Sequence, residues 1–218
     1  PATMEGKATH DVQNAMFAAA LAFSMGKSLD DIRHGLRTFD TSYFQAPGRM
    51  NVFDEHPFRV ILDYGHNAAA ISSICQLVDR LEVVGSRICV LAAPGDRRDE
   101  DIRAIADAAA EHVDHYICKA DDHRRGRGED EVPGMLREQL LEAGVDADRI
   151  EVIPDEMQAV NAALSMAQEG DLVVIFGDDI VRCWKQVAGH KVDGEEVHDE
   201  KPGKPVQAEI VALGLDHG

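Results

Sequence analysis

Positive charge is what this 218-residue chain most lacks: 22 Lys and Arg stand against 40 Asp and Glu, a formal net charge of -18. A surface of that sign repels phosphate backbones and anionic lipid headgroups, so nucleic acid and a membrane surface are not expected as main partners. Cationic or amphoteric substrates and local basic pockets stay open. The same charge also keeps a cytoplasmic protein in solution. No apolar run is long enough to cross a bilayer, and no signal-peptide pattern opens the sequence, so a cytoplasmic location is expected. The four cysteines, Cys75, Cys89, Cys118 and Cys183, form no C-x-x-C pair. They read as reduced, buried small hydrophobes. The ten histidines show no metal-ligand spacing, and no metal site is expected among them.

What is present is a globular composition, 44% hydrophobic, long enough for one domain with a sizeable core and a small appendage. The first unit is helical. "HDVQNAMFAAALAFSMG" sets Val12, Ala15, Met16, Ala19, Ala22 and Phe23 at helical spacing, with Gly26 as a stop. "SLDDIRHGL" follows, with Ser28 as its cap and Asp31 as the paired acid three residues on.

From "FRVILDY" onward, strands and helices alternate. "RICVLAA", "HYICKA", "IEVIP" and "DLVVIF" read as further strands. Helices are expected at 68–83, 99–112, 131–143 and 155–168, and a last one in "DIVRCWKQV". Five strands alternating with helices predict an α/β fold: a mostly parallel Rossmann-like sheet with helices on both faces. The charged tail from Lys191 contains "VQAEIVALGL", which reads as an edge strand, a chain end or a linker; the sequence leaves these open.

Ligands of such sheets bind at the carboxyl ends of the strands. Each of these ends is polar here: Asp63-Tyr64-Gly65-His66-Asn67 after the first strand, then "PGDRRDED", "DDHRRGRGE", "PDE" and "GDD". The opposite ends look like ordinary connections. Bland alternatives exist for each piece. Asp63 is also a helix cap in waiting, and His66 also fits a surface helix start. The charge run at 121–130 is also a solvated loop. Arg97 and Arg98, however, oppose the dipole of the helix they precede, which asks for another reason. Asp178 and Asp179 read as capping residues.

These stretches resemble a family. A strand after Gly48-Arg49 that ends in Asp-Tyr-Gly-His-Asn looks like the C-terminal domain of the Mur ligases and folylpolyglutamate synthetases. There the place reads Asp-Tyr-Ala-His-Asn-Pro or a near variant. "PGDRRDEDI", "DDHRRGR" and "DLVVIFGDDIVRCWKQV" follow in the same order and sharpen the likeness toward the cyanophycin synthetase branch, over roughly residues 6 to 187. "GKATHDVQNAMFAAALAFSMG" resembles the end of the family's central ATPase domain, with Asp11 replacing one Asn of the pattern and Asn14 matching the other.

The resemblance divides the chain into a helical remnant of that ATPase domain (1–45), the C-terminal Rossmann-like domain (46–188) and a charged tail (189–218). The family's phosphate-cradling G-x-x-G-K-[ST] loop is absent from this sequence. The chain then reads as the C-terminal lobe of a larger enzyme or a stand-alone relic of one, inactive by itself.

The resemblance implies ATP-dependent amide formation through an acyl phosphate. ATP and Mg2+ would be bound mainly by the missing domain, in the same chain or a partner's. Arg49, Asn14 and Asn67 would contact the nucleotide, with Asn14 toward the adenine or ribose. Asp63 and His66 would act at the reacting centre as the lobes close. Asp96, Arg97, Arg98, Asp121, Asp122, Arg124, Arg125 and Arg127 would receive the incoming amino acid, expected to be arginine. Carboxylates would take its guanidinium and an Arg its α-carboxylate. An acidic peptide or polymer would be the acceptor, and a homo-oligomer fits the same reading.

One departure from the pattern is the Gly65–Ala68 stretch, where Gly-His-Asn-Ala loses the family proline and with it some loop stiffness. The rival readings are a lobe of another Mur-type ligase, such as folylpolyglutamate synthetase, and a catalytically silent α/β module that binds an amino acid or a protein.

Overall fold

The computed structural model describes residues 3–191; the stretch at 206–215 read as an edge strand, with nearly all of the tail, lies outside the described residues. Two helices come first, α1 (Thr9–Ser24) and α2 (Leu29–Thr38). Gly26 ends the first with φ +79°, and the N–H of Lys27 reaches back to Ala22 O at 3.1 Å. Only a residue without a side chain adopts that turn at little cost. Ser28 caps the second, as expected: its Oγ accepts the Asp31 N–H at 3.1 Å and donates to the Asp31 carboxylate at 2.7 Å.

The alternation then appears as read. Its elements are β1 (Asn51–Phe53), β2 (Arg59–Asp63), α3 (Ala68–Val78), β3 (Arg87–Leu91), α4 (Asp99–Ala109), β4 (His115–Cys118), α5 (Glu131–Glu142), β5 (Ile150–Val152), α6 (Glu156–Met166), β6 (Leu172–Phe176) and α7 (Ile180–Gly189). The five foreseen strands are β2 to β6, and they pair in parallel. β1 is the strand the sequence does not announce. It pairs antiparallel with β2 at the sheet edge, and three residues are too few for alternation to register. α3 stops at Val78 rather than near residue 83, because the N–H of Arg80 already bonds Leu77 O and tightens the last turn.

Strand alternation builds a core on each face. Ile61, Cys89, Leu91, Val174 and Phe176 point toward α3, α4 and α5. Val60, Leu62, Ile88, Val90, Val173 and Ile175 point toward α6 and α7. All four cysteines are buried and unpaired, which matches the sequence reading. Burial of these apolar side chains, at about 25 cal/mol per Å2, is the main force holding the lobe together.

The strand order is β1-β2-β6-β3-β4-β5. β6 therefore lies between β2 and β3. The helices after β2 and β3 cover one face, and the helix after β6 covers the other. A crevice opens where successive strands send their helices to opposite sides. Among the described residues no helix is long and apolar enough to cross a membrane.

Candidate active site

The crevice is a small cleft at the carboxyl ends of β2, β3, β4 and β6, lined by Tyr64, His66, Pro94, Asp121, Gly177 and Asp178. The chain brings these residues together from four separate stretches.

One wall is the turn before β1 and the end of β2. Asn51 is fully buried and fixes that turn. Its Oδ1 accepts the Gly48 N–H at 2.7 Å, and its Nδ2 donates to Thr41 O at 2.8 Å and Ala46 O at 2.9 Å. Met50, at φ +48°, aims its N–H at Asp63 Oδ2, 2.8 Å away. Burial pushes the Asp63 carboxyl up, while the Met50 N–H, the Arg49 guanidinium and the Gly65 N–H pull it down; the net direction is up. Asp63 therefore holds the Arg49 turn against β2, and it does not cap α3.

The cap is Asn67, whose Oδ1 accepts the Ala70 N–H at 3.0 Å. His66 lies between them, its Nδ1 3.0 Å from Tyr64 O. A carbonyl only accepts, so that nitrogen carries the hydrogen and the ring is oriented with Nε2 away from Tyr64. A Cβ on Gly65 would lie 3.0 Å from the Phe176 ring and 3.2 Å from Asp63 Oδ1.

The other wall is built from charge. Lys119, just past β4, and Glu156, first in α6, are fully buried, with Nζ and Oε2 2.8 Å apart. Glu156 also accepts the N–H of Asp178 at 2.7 Å and of Asp179 at 3.1 Å, and the Arg182 guanidinium at 2.6 Å. Burial pushes the Glu156 carboxyl up, but Lys119 and these other donors outweigh it and hold it down at about 2. Arg182 continues to Asp122 at 2.7 Å, a hydrogen bond that raises its own pKa. Asp121 is the opposite case. Burial pushes its carboxyl up, Lys119 at 3.6 Å lowers it, and Asp178 and Glu156 raise it further.

The remaining foreseen residues sit on the rim. Arg127 donates to Gly95 O and Arg97 O, both at 2.8 Å, and pairs with Asp99 and Glu131, each at 2.7 Å. It stitches the loop after β4 to the loop after β3. Those loops touch closely: a Cβ on Gly95 would run into the carbonyl oxygen of Arg124. Arg125 pairs with Asp96, Arg124 with Glu129 at 3.3 Å, and Arg98 with Asp101 at 2.9 Å. Arg97 is exposed.

Of the eight residues read as amino-acid binders, the structure brings Asp121 to the cleft, with Asp122 tied to it through Arg182 and Asp178. Asp179 caps α7, as read, by accepting the Arg182 N–H at 3.0 Å. Asp178 does not cap; it accepts the Asp122 N–H at 3.1 Å. Sequence reading missed Asn51, Lys119, Glu156 and Arg182. The signals that existed were a lysine closing an apolar strand and an acid in "PDE".

Arg49 also borders a second space, a groove of about 1020 Å3 between α1, α2 and the segment at 41–49, lined by Asp11, Asn14, Ala18, Ile32 and Leu36. Asp11 Oδ2 is buried there without a hydrogen-bond partner. Asn14 and the Arg49 cation stand at the edge of this mostly apolar groove. No group of three metal-ligating side chains occurs among the described residues.

The doubly wound sheet with a cleft at the carboxyl ends of β2, β3, β4 and β6 belongs to a known class. Residues 48–178 match the family described as Mur ligase, glutamate ligase domain, and the chain belongs to that family. Within it, the chain is 38% identical over 206 residues to the cyanophycin synthetase of Trichormus variabilis, covering 94% of this chain and 23% of that one. It thus spans about a quarter of that relative's length.

Among solved structures, E. coli FolC in complex with ADP, without folate substrate, superposes with a TM-score of 0.60 at 25% identity, covering 81% of this chain and 39% of that one. UDP-N-acetylmuramate-alanine ligase MurC of Thermotoga maritima has the same fold, with a TM-score of 0.60 at 18% identity over 83% of this chain and 37% of that one.

Proposed function

We propose that this chain is the C-terminal lobe of an ATP-dependent acid–amino acid ligase of the cyanophycin synthetase kind, and that its cleft receives the incoming amino acid, arginine. The observation that carries the reading is the charge of the cleft wall. Asp121, Asp122, Asp178 and Glu156 bring four carboxylates against the two cations Lys119 and Arg182. That excess suits a ligand with a cationic side chain, and a guanidinium meets a carboxylate through two parallel hydrogen bonds.

In this chemistry ATP turns a carboxylate into an acyl phosphate, and the amine of the incoming amino acid displaces the phosphate. The residues of this chain position and enclose. Asp121 and Asp178 orient the amino acid from its side chain, which leaves its amine toward the β2 end. His66 stands on the same cleft, with Nε2 placed to accept a proton from that amine. Arg49, held by Asn51 and Asp63, faces the groove with Asn14 and would meet nucleotide charge there. Closing the lobe over the ATPase domain would exclude water from the reacting centre. The exposed apolar residues of α1, Phe17 at 76% and Leu21 at 64% among them, are a surface that such a domain would cover. Phosphates and Mg2+ would be held by that domain, and an acidic peptide or polymer would be the acceptor.

Isothermal titration with arginine tests the reading, with lysine, aspartate and glutamate as controls. Heat from arginine alone, lost in Asp121→Asn, is the expected result. Binding of glutamate in preference to arginine would overturn the assignment, as would turnover of the full-length polypeptide that ignores arginine.

A further inference from the structure

Lys119 and Glu156 lie directly behind the cleft, and neither side chain has any exposed surface. A buried pair of this kind seldom adds stability over an apolar pair of the same size. An apolar pair would hold β4 against α6 equally well. It would not fix the direction of a loop.

The partners of Glu156 are informative on this point. Besides Lys119 they are the main-chain N–H groups of Asp178 and Asp179, at 2.7 and 3.1 Å, and the guanidinium of Arg182 at 2.6 Å. Arg182 passes the connection to Asp122 at 2.7 Å, and Asp178 closes the ring by accepting the Asp122 N–H at 3.1 Å. The Lys119 Nζ lies 3.6 Å from Asp121. Apart from the Lys119–Glu156 pair itself, each of these contacts ends on the 121–122 stretch, on the 178–179 stretch or on the residue that joins them.

We propose that Lys119, Glu156 and Arg182 form a positioning network that sets the separation and direction of Asp121 and Asp178, and through them the selectivity for a cationic amino acid. The proposal deepens the reading of the cleft given above and rests on it. None of the three network residues touches the amino acid. They act by fixing the two loops that carry Asp121 and Asp178, after β4 and β6, so that a carboxylate stands ready for a planar cation.

The test uses the full-length polypeptide that contains these residues. The double variant Lys119→Met with Glu156→Leu replaces the pair by apolar side chains, so the fold is retained while the loop anchors are lost. The expected result is a folded enzyme with a lowered melting temperature, because the Asp178 and Asp179 N–H groups and Arg182 lose their acceptor, an unchanged KM for ATP, and a KM for arginine raised by about tenfold. Preference for arginine over lysine should fall with it.

Arg182→Lys is the second variant. It keeps the charge and removes the planar fork, and the same rise in KM for arginine alone is expected. An unchanged arginine KM in either folded variant would overturn the network's role and leave the reading of the cleft intact. A wild-type enzyme whose ATP turnover is independent of any amino acid would overturn both.

Discussion

At the end of β2, polar side chains bond to nearby main chain; at the ends of β4 and β6 charged side chains also bond to one another across elements. Asp63, Asn67 and Asn51 each accept an N–H from a residue within thirteen positions. Lys119, Glu156 and Arg182 find charged partners on different elements, across 26 positions from Arg182 to Glu156. The first wall is a set of local clamps that shape backbone. The second is a charge network in which removing one member strands the others. The two walls should therefore fail differently.

The largest effect is expected on the charged wall. Glu156→Ala leaves Lys119 buried without its anion and should cost about 3–5 kcal/mol in urea denaturation. A loss below 1 kcal/mol would mean that water or a neighbouring acid replaces the partner.

The acid limb sharpens the same contrast. Glu156 holds its proton less readily in the fold, so its contribution is present above about 4.5 and drains away as pH falls toward about 2. Stability of Glu156→Gln should be flatter across that window. Asp63 runs the other way: burial raises its pKa, so its protonated form favours the fold and that contribution is lost as pH rises through the carboxylate range. Asp63→Asn should remove that loss and bring no acid-side flattening.

Effects on the local wall are smaller. Asn51→Ala breaks three buried contacts to main chain and should cost about 1–3 kcal/mol, read from the denaturation midpoint. Asn67→Ala removes one cap and should cost about 1 kcal/mol. His66→Ala should shift stability by no more than about 1 kcal/mol, because the half-buried ring makes one hydrogen bond and one ring contact, with Tyr64. Turnover of the full-length polypeptide should nevertheless fall by about tenfold or more if the ring serves the reacting amine. Equal losses of stability and activity in that variant would make His66 a structural residue.

The same difference explains what could be read from the chain. Asp63, His66 and Asn67 stand together after an apolar run, and their partners lie nearby, so the β2 wall is visible as a contiguous motif. Its assignment of roles was less visible. The cap offered as the bland alternative for Asp63 falls to Asn67, because residue 67 is the one that immediately precedes the first turn of α3.

The charged wall is dispersed over 119–122, 156 and 178–182, and no spacing rule joins those stretches. Parallel pairing of β3 with β6 and β4 brings them together. Periodicity foretold each of those strands but not their order across the sheet. Arg124, Arg125 and Arg127 show the converse. The family resemblance makes them amino-acid binders, yet Arg127 is occupied by two carbonyls and two acids that join loops.

The placement of β6 has a consequence for how the lobe is made. Among the described residues it is the last strand in sequence and an inner strand of the sheet, with β2 on one side and β3 on the other. Val60 pairs with Val173, and Ile88 pairs with the same residue from the far side. Until residue 176 has left the ribosome, the two parts of the sheet have no strand between them and the cleft has no floor. Closing such distant pairings is slow, because loop entropy is lost before any contact returns it. The lobe should therefore assemble late in synthesis, in one step, with exposed strand edges beforehand, and chains shortened ahead of β6 should aggregate rather than fold in part.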